Sequence, residues 1–496
     1  MSRSGTTSAS RRSSLQGQSS MRGARRPPRR RKARRGRSTA RPRRPRRKGA
    51  VEPKSVRERL EADRERRDKR RVKAAFEQLK DNVLPLLSRE EIEEMAREAG
   101  FSQREAKAIH PFEFVLSCVL ACTLESKRGF ASVWRVFGAA TGIEVARSAI
   151  TQRFGEGSAA LLQMVFEKAV ERVPESAQSE QFAKIEQFSR VLAHDGSVLA
   201  LSSLLGKLFP ATRTNSVAAA AKVHATADVL ERRIVGVEVT GERKSELHVA
   251  WDQPVVCEAL YLVDLGYYCH DYYGSIVADG GHIVSRLKDG INVTILEVVH
   301  GIRAPRQAVG KKLSEIDFVQ SHNTFDILGE LSTTLGPAPF RIVGVRDAET
   351  GEYHMYITDL PPNAFTAEEI AKLYTFRWVI ELLFKQLKSY CHLDHVDTSN
   401  PDALRTHIYA SLTASLILHA LLVTSAQAAG MLPSDLSHLT VAAAAPLLAV
   451  PLLLLWMDVE LSNEQLAQML IRIIVVGCRE QNPGRRRRQW GGLGDA

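Results

Sequence analysis

Three carboxylates stand where the chain would present them rather than leave them to solvent. Asp195 interrupts an apolar run of strand length, Leu192-Ala-His-Asp-Gly-Ser-Val-Leu-Ala-Leu201. Asp264 closes Ala259-Leu-Tyr-Leu-Val-Asp264, just ahead of Leu265-Gly-Tyr-Tyr268. Glu381 falls on the long helical pattern that follows Thr366. An aspartate in a buried strand is costly unless it is paired, hydrogen-bonded or metal-bound. On the helical pattern, Tyr374, Arg377, Glu381 and Lys388 form Y-x2-R-x3-E-x6-K. Steps of seven residues advance two turns with only about 20° of drift, so Tyr374, Glu381 and Lys388 share one face. Arg377 lies four before Glu381 on the edge of that face, and Lys385, four after it, borders the same stripe. A carboxylate ringed by a phenol and three cations suits a metal ligand beside a bound phosphate backbone. The same spacing also fits ordinary i,i+4 Arg–Glu and Glu–Lys pairing on a solvated helix.

The segment Tyr374-Thr-Phe-Arg-Trp-Val-Ile-Glu-Leu-Leu-Phe-Lys-Gln-Leu-Lys388 resembles the Tyr-Arg-Glu-Lys signature of DDE transposases of the "insertion sequence four" group. His194-Asp-Gly-Ser197 resembles that group's first-aspartate region. Asp264-Leu-Gly-Tyr-Tyr268, followed by Gly281-His-Ile-Val-Ser-Arg-Leu-Lys288, resembles its second. The resemblance covers about 190–395.

It implies an α/β chain with an RNase H-like mixed sheet: Asp195 on the first strand, Asp264 after the fourth, Glu381 on a later helix. The 116 residues between Asp264 and Glu381 then house a β-rich insertion at about 270–360. The implied chemistry is two-ion phosphoryl transfer that cleaves and joins DNA at the ends of an insertion sequence. Asp195, Asp264 and Glu381 would hold two Mg²⁺ (or Mn²⁺) ions, hard cations that take oxygen ligands. Tyr374, Arg377 and Lys388 would grip phosphates, with Lys385, Arg286 and Lys288 as further DNA contacts. The implied partners are element-end and target DNA, and a second copy of the chain in the DNA complex. One departure concerns a tryptophan that some relatives use to hold a flipped base: none occurs between Trp251 and Trp378. Phe318, Phe325 and Tyr353 are the stacking candidates instead. The alternatives are an RNase H-like nuclease without strand transfer, and a non-catalytic DNA-binding protein derived from a transposase.

The elements that must carry these groups are legible in outline. Ser189–Leu201, Ala218–Ala227, Arg233–Thr240 and Glu258–Tyr268 read as strands, followed by Gly281–Leu296, Phe340–Val345 and Tyr353–Thr358. A polar, His-bearing linker runs from about His300 to Asn323. Thr366 and Glu369 form a capping box for a helix expected to run unbroken from Ala367 to about Tyr390. Before the strands, Ala74–Leu87, Arg89–Ala99 and Pro111–Ser126 show helical periodicity. Ser148–Arg153, after the Gly142 turn, is a candidate recognition helix of a helix-turn-helix, although short helical hairpins are common in any fold. Cys118 and Cys122, four apart on an apolar helix face, read as core. His194 and His224 flank the chemistry, but a histidine beside a strand is more often structural. The division is therefore 1–72 basic tail and charged helix, 73–187 helical and DNA-binding in one reading, 188–395 catalytic core, and 396–496 helical.

Composition narrows the class. At 44% hydrophobic and 25% charged, the 496 residues suffice for several globular units. Net charge is +13, but residues 1–50 hold 19 of the 69 Lys and Arg and no acid, so the other 446 residues sum to −6. That Arg-rich stretch cannot bury apolar surface and reads either as a solvated charge run or as an arm on nucleic acid phosphates. Arg485–Arg488 is a second basic run. Six scattered cysteines with no CxxC pair argue against a disulfide scaffold or zinc module and fit a reducing cytosol; the resemblance implies a cytoplasmic protein acting on the nucleoid. The start lacks an apolar segment of the kind export signals carry, though its acid-free Arg and Ser content resembles a transit peptide. Pro446 and Pro451 break the apolar run Leu439–Met457, so a buried helical pair is expected there rather than a membrane span.

Overall fold

A computed structural model describes residues 74–475, apart from 75, 103–107, 176–183, 186, 213–216, 317–322, 335 and a broken stretch after 457. The described residues lie within the unit Glu61–Ala496. The Arg-rich residues 1–50, the charged stretch 52–71, Phe318 and the 485–488 run lie outside them.

Among the described residues, nine strands form one mixed sheet. An antiparallel meander comes first: β1 Val191–Leu201, β2 Ala219–Asp228 and β3 Arg233–Gly241. Next, β4 Leu260–Val263 lies parallel to β1, and β5 His282–Arg286 lies parallel to β4. A second antiparallel set follows: β6 Thr294–His300, β7 Thr324–Thr333, β8 Gly336–Arg346 and β9 Tyr353–Thr358. It joins the first through β9, which pairs antiparallel with β5, so the order is β3-β2-β1-β4-β5-β9-β8-β7-β6.

Side chains alternate between the faces of a strand, and here each face has its own core. Val191, Ala193 and Leu199 of β1 join Leu260 and Leu262 of β4 under helices from both ends of the chain. Leu192 and Tyr261 face the other way, with Tyr267, Tyr272 and Tyr273. On the first face, the Glu156–Arg172 and Pro111–Leu124 helices pack against Pro401–Ala429, and Trp378–Tyr390 packs on β1. Asn400 caps the 29-residue Pro401–Ala429 helix, its side-chain oxygen accepting from the N–H groups of Asp402 and Ala403, and Gly430 ends it at φ 66°. That helix is long and apolar enough to cross a membrane, yet 94% of its most apolar window is buried inside the protein. Its hydrophobicity is used for packing.

Several expectations need correction. The run Gly281–Leu296 holds two strands, β5 and β6, separated by a turn at 287–293. The strand expected over Glu258–Tyr268 is only four residues long, because Asp264 caps a 3₁₀ turn at Leu265–Tyr267. The helix after Thr366 is not unbroken: Ala367–Thr375 and Trp378–Tyr390 meet at Phe376–Arg377. Both junction residues keep helical dihedrals, but the N–H groups of Phe376, Arg377, Val379 and Ile380 bond three residues back rather than four, tightening the turn. Ser148–Arg153 does not form a recognition helix of useful length. The helix there spans only Arg147–Thr151, and the following Phe154 is buried against Phe114, Phe130 and His407. Leu439–Met457 does form a helical pair, within His438–Ala443 and Ala445–Trp456. Cys118 and Cys122 are buried thiols on the Pro111–Leu124 helix.

Candidate active site

The parallel pairing of β1 with β4 aligns Ala193 with Leu262. Asp195 and Asp264 each follow two residues later, so they stand level on neighbouring parallel paths and, by alternation, on the helix-covered face. Asp195 accepts the Gly196 N–H at 2.8 Å. Burial pushes its pKa up from 3.8 to about 6; the Gly196 N–H and Arg377 work against that rise, and Glu246 and Asp264 add to it. Asp264 caps the turn that follows, accepting the Gly266 N–H at 3.4 Å.

The tight junction between the two helices brings Tyr374 and Arg377 beside these aspartates. The Tyr374 hydroxyl donates to Asp264 Oδ1 at 3.4 Å, and burial pushes its pKa up to about 12, so it remains a phenol that can donate. Arg377 bridges two carboxylates: Nη2 donates to Glu381 Oε1 at 2.7 Å, and Nε lies 3.6 Å from Asp264 Oδ1. Burial favours its neutral form, but Tyr374, Asp264 and Glu381 outweigh that and hold the guanidinium charged. Lys388 lies further along the same helix, where its Nζ donates to the Val198 carbonyl of β1 at 3.4 Å. Arg286, exposed at the end of β5, is close enough to influence the Tyr374 phenol. Asp195, Asp264, Glu381, Tyr374, Arg377 and Arg286 therefore converge, with Lys388 at the border. Lys385 and Lys288 are exposed, and no described contact joins their side chains to the group.

The histidines serve the other face. His194 stacks on Tyr261 at 5.6 Å, with Nδ1 3.0 Å from Thr226 Oγ1, while His224 Nε2 lies 2.9 Å from Thr240 Oγ1. Burial lowers both pKa values to about 4, so both are neutral. Phe325 is fully buried and packs edge-on against Tyr353 at 5.3 Å, which removes it as a base-stacking candidate. Glu246 was missed in the sequence because, at the start of a short helix after Ser245, it reads as a routine first-turn acid. Its only signal was the pair of glycines, Gly196 and Gly266, beside the two aspartates.

Among the described residues no three His, Cys, Asp or Glu side chains are grouped closely enough to hold an ion as they stand. The cation between Asp264 and Glu381 is the Arg377 guanidinium. The donor set itself is oxygen-only, and Asp195 has been driven toward protonation by burial and neighbouring carboxylates. Such a set fits a hard divalent cation, whose charge would relieve that repulsion.

Residues 186–417 match the family model described as the transposase DDE domain. Over 78 residues the chain is 36% identical to the InsL protein of insertion sequence element IS186A of Escherichia coli (strain K12), a match covering 16% of this chain. The chain thus spans about a fifth (21%) of that relative's length. It is 21% identical over 369 residues to the transposase of insertion sequence element IS231F of Bacillus thuringiensis subsp. israelensis, covering 65% of this chain and 75% of that one. Among solved structures, it is similar to a piggyBac transposase in a synaptic complex with hairpin DNA, at TM-score 0.39 and 9% identity, over 81% of this chain and 85% of that one. Over 186–417 the chain is thus similar to the transposase DDE domain, and insertion-sequence transposases are among the proteins it resembles.

Proposed function

We propose that this chain is a transposase that cleaves and joins DNA at the ends of an insertion sequence, with Asp195, Asp264 and Glu381 as its acidic triad. The observation that carries this reading is the level placement of Asp195 and Asp264 on parallel β1 and β4, with Glu381 tied to Asp264 through Arg377. Strand order β3-β2-β1-β4-β5, an antiparallel meander followed by two parallel strands, is read as an RNase H-like core. On that reading β6–β9 are the insertion between Asp264 and Glu381. The Tyr374, Arg377, Glu381 and Lys388 set is read as the signature of the "insertion sequence four" group.

Mg²⁺ or Mn²⁺ held by the three carboxylates would supply Lewis acidity to polarise the scissile phosphate and to activate a water or 3′-hydroxyl. The chain's own groups do the rest. Arg377 offers a planar, two-pronged guanidinium to a phosphate, which Lys cannot reproduce. Tyr374 can donate its hydroxyl proton as a hydrogen bond to a phosphate oxygen in place of Asp264. Lys388 and Arg286 add positive charge on either side, with Lys385 and Lys288 as outer backbone contacts. Arg377 is the hinge of this arrangement: in the DNA-free chain its single charge is shared between Asp264 and Glu381, and a bound phosphate would compete for it. Partners on this reading are element-end and target DNA and a second copy of the chain, with the nucleoid as the place of action.

The test is cleavage of end DNA with Mg²⁺ or Mn²⁺. Asp195→Ala, Asp264→Ala and Glu381→Ala should each abolish cleavage and joining while DNA binding persists, since backbone contacts elsewhere supply most affinity. Near-normal cleavage by any of the three would overturn the assignment, and cleavage without joining by the unaltered chain would make it a nuclease.

A further inference from the structure

A fourth carboxylate approaches the two aspartates from the opposite side. Glu246 opens the Glu246–Trp251 helix, which packs over β1 and over the Leu265–Tyr267 turn. A Cβ on Gly196 would lie 2.7 Å from Glu246 Oε1, and a Cβ on Gly266 would lie 3.1 Å from Oε2. These glycines belong to the very segments that carry the aspartates: Gly196 gives its N–H to Asp195, and Gly266 gives its own to Asp264. Neither has a positive φ, so backbone conformation does not demand glycine at either position. What their missing side chains provide is room for the Glu246 carboxylate. Lys222 of β2 is its counter-charge, with Nζ 3.2 Å from Oε1.

We propose that Glu246 is a positioning residue of the catalytic centre, whose charge acts through Asp195 and Asp264 to strengthen their hold on a divalent cation, with Lys222 limiting that effect. The inference rests on the reading of the site given under Proposed function. A negative charge fixed beside two aspartates deepens the local potential felt by a cation, and an ammonium 3.2 Å from that charge offsets part of it.

Mn²⁺ binding to the full chain without DNA, followed by electron paramagnetic resonance of the free ion, provides a readout independent of cleavage. Glu246→Gln keeps the shape and removes the charge; it should weaken Mn²⁺ binding roughly three- to ten-fold. It should raise the Mg²⁺ concentration for half-maximal cleavage by a similar factor, with less effect on the rate at saturating Mg²⁺. Gly196→Ala should act in the same direction by displacing the carboxylate, and Lys222→Gln in the opposite direction. A merely structural Glu246–Lys222 pair would give both partners' variants the same sign, which would overturn the proposal. Unchanged Mn²⁺ affinity in Glu246→Gln, beside clear weakening in Asp195→Asn, would also overturn it while leaving the site standing. Unchanged affinity in Asp195→Asn would instead remove the site on which it rests.

Discussion

At the scale of single residues, Asp195 carries the largest internal conflict in the site. Burial disfavours its charge, and Glu246 and Asp264 repel it, while one backbone N–H and Arg377 supply only partial relief. Its folded pKa of about 6 lies above the ordinary 3.8, so between those values the folded chain keeps a proton that the unfolded chain releases. Stability from this group is therefore intact below about pH 4 and lost as pH rises through about 6. The gap amounts to at most about 3 kcal/mol. Asp195→Asn removes the penalty, so metal-free protein should melt higher than the unaltered chain at pH 7.5 and no higher at pH 4. Melting curves at the two pH values decide; an equal shift at both would mean that ionisation of Asp195 is not the cause. The same charge that costs stability is what a cation would use, which is why the destabilised residue is also the proposed ligand.

At the scale of elements, the strands added after β5 do more than extend the sheet. Arg341 of β8 is buried, pairs with buried Asp326 of β7, and donates to the carbonyls of Leu360 and Phe365. Those carbonyls lie just before Thr366, whose hydroxyl accepts the Glu369 N–H to start the helix leading to Tyr374 and Arg377. Strands β7 and β8 thereby fix the entry angle of the helices that carry Tyr374, Arg377 and Glu381. Arg341→Met would strand the Asp326 carboxylate and two carbonyls, and should cost about 3–5 kcal/mol by urea unfolding. Adding Asp326→Leu should restore part of that stability but not cleavage, because the two carbonyls stay unanchored. Full recovery of both would show that the helix is held by other means.

This coupling could not be seen in the sequence, although much around it could. The strand limits of β1 to β3 and the Thr366–Glu369 capping box followed from local pattern, since alternation and cap chemistry are short-range properties. The face shared by Tyr374 and Glu381 was inferred from an ideal helix, whereas the chain tightens at Phe376–Arg377 and brings Tyr374 and Arg377 onto Asp264. That turn depends on tertiary contacts, as does the choice between two readings of Arg377. The i,i+4 pair with Glu381 is real, but the same guanidinium also reaches a carboxylate 113 positions earlier in the chain. β7 escaped because its run, Thr324–Thr333, carries Asp326 and Glu330, and only the partner Arg341 makes Asp326 a core residue. The approach of Glu246 to Gly196 and Gly266 joins three segments and has no local trace beyond the glycines themselves.

At the scale of the whole molecule, charge is divided unevenly between an Arg-rich start and the remaining 446 residues, whose net charge is −6. An acidic body repels a polyanion except where cations are concentrated, as Arg377, Lys388 and Arg286 are near the triad. If the chain acts on DNA as proposed, residues 1–50, which carry 19 Lys and Arg and no acid, are the stretch expected to supply long-range attraction to it. Each cation that neutralises a phosphate releases condensed counterions, so affinity falls with salt at a slope of about 0.9 per contact on duplex DNA. Deleting residues 1–50 should therefore lower nonspecific affinity and flatten the plot of log affinity against log salt. Discrimination between end DNA and unrelated DNA should change little, because phosphate contacts carry no base information. Filter binding of both DNAs across a salt series measures slope and discrimination together. Equal slopes for full-length and shortened chains would assign DNA attraction to the body despite its net acidity, whereas a loss of discrimination would mean that the Arg-rich segment reads bases.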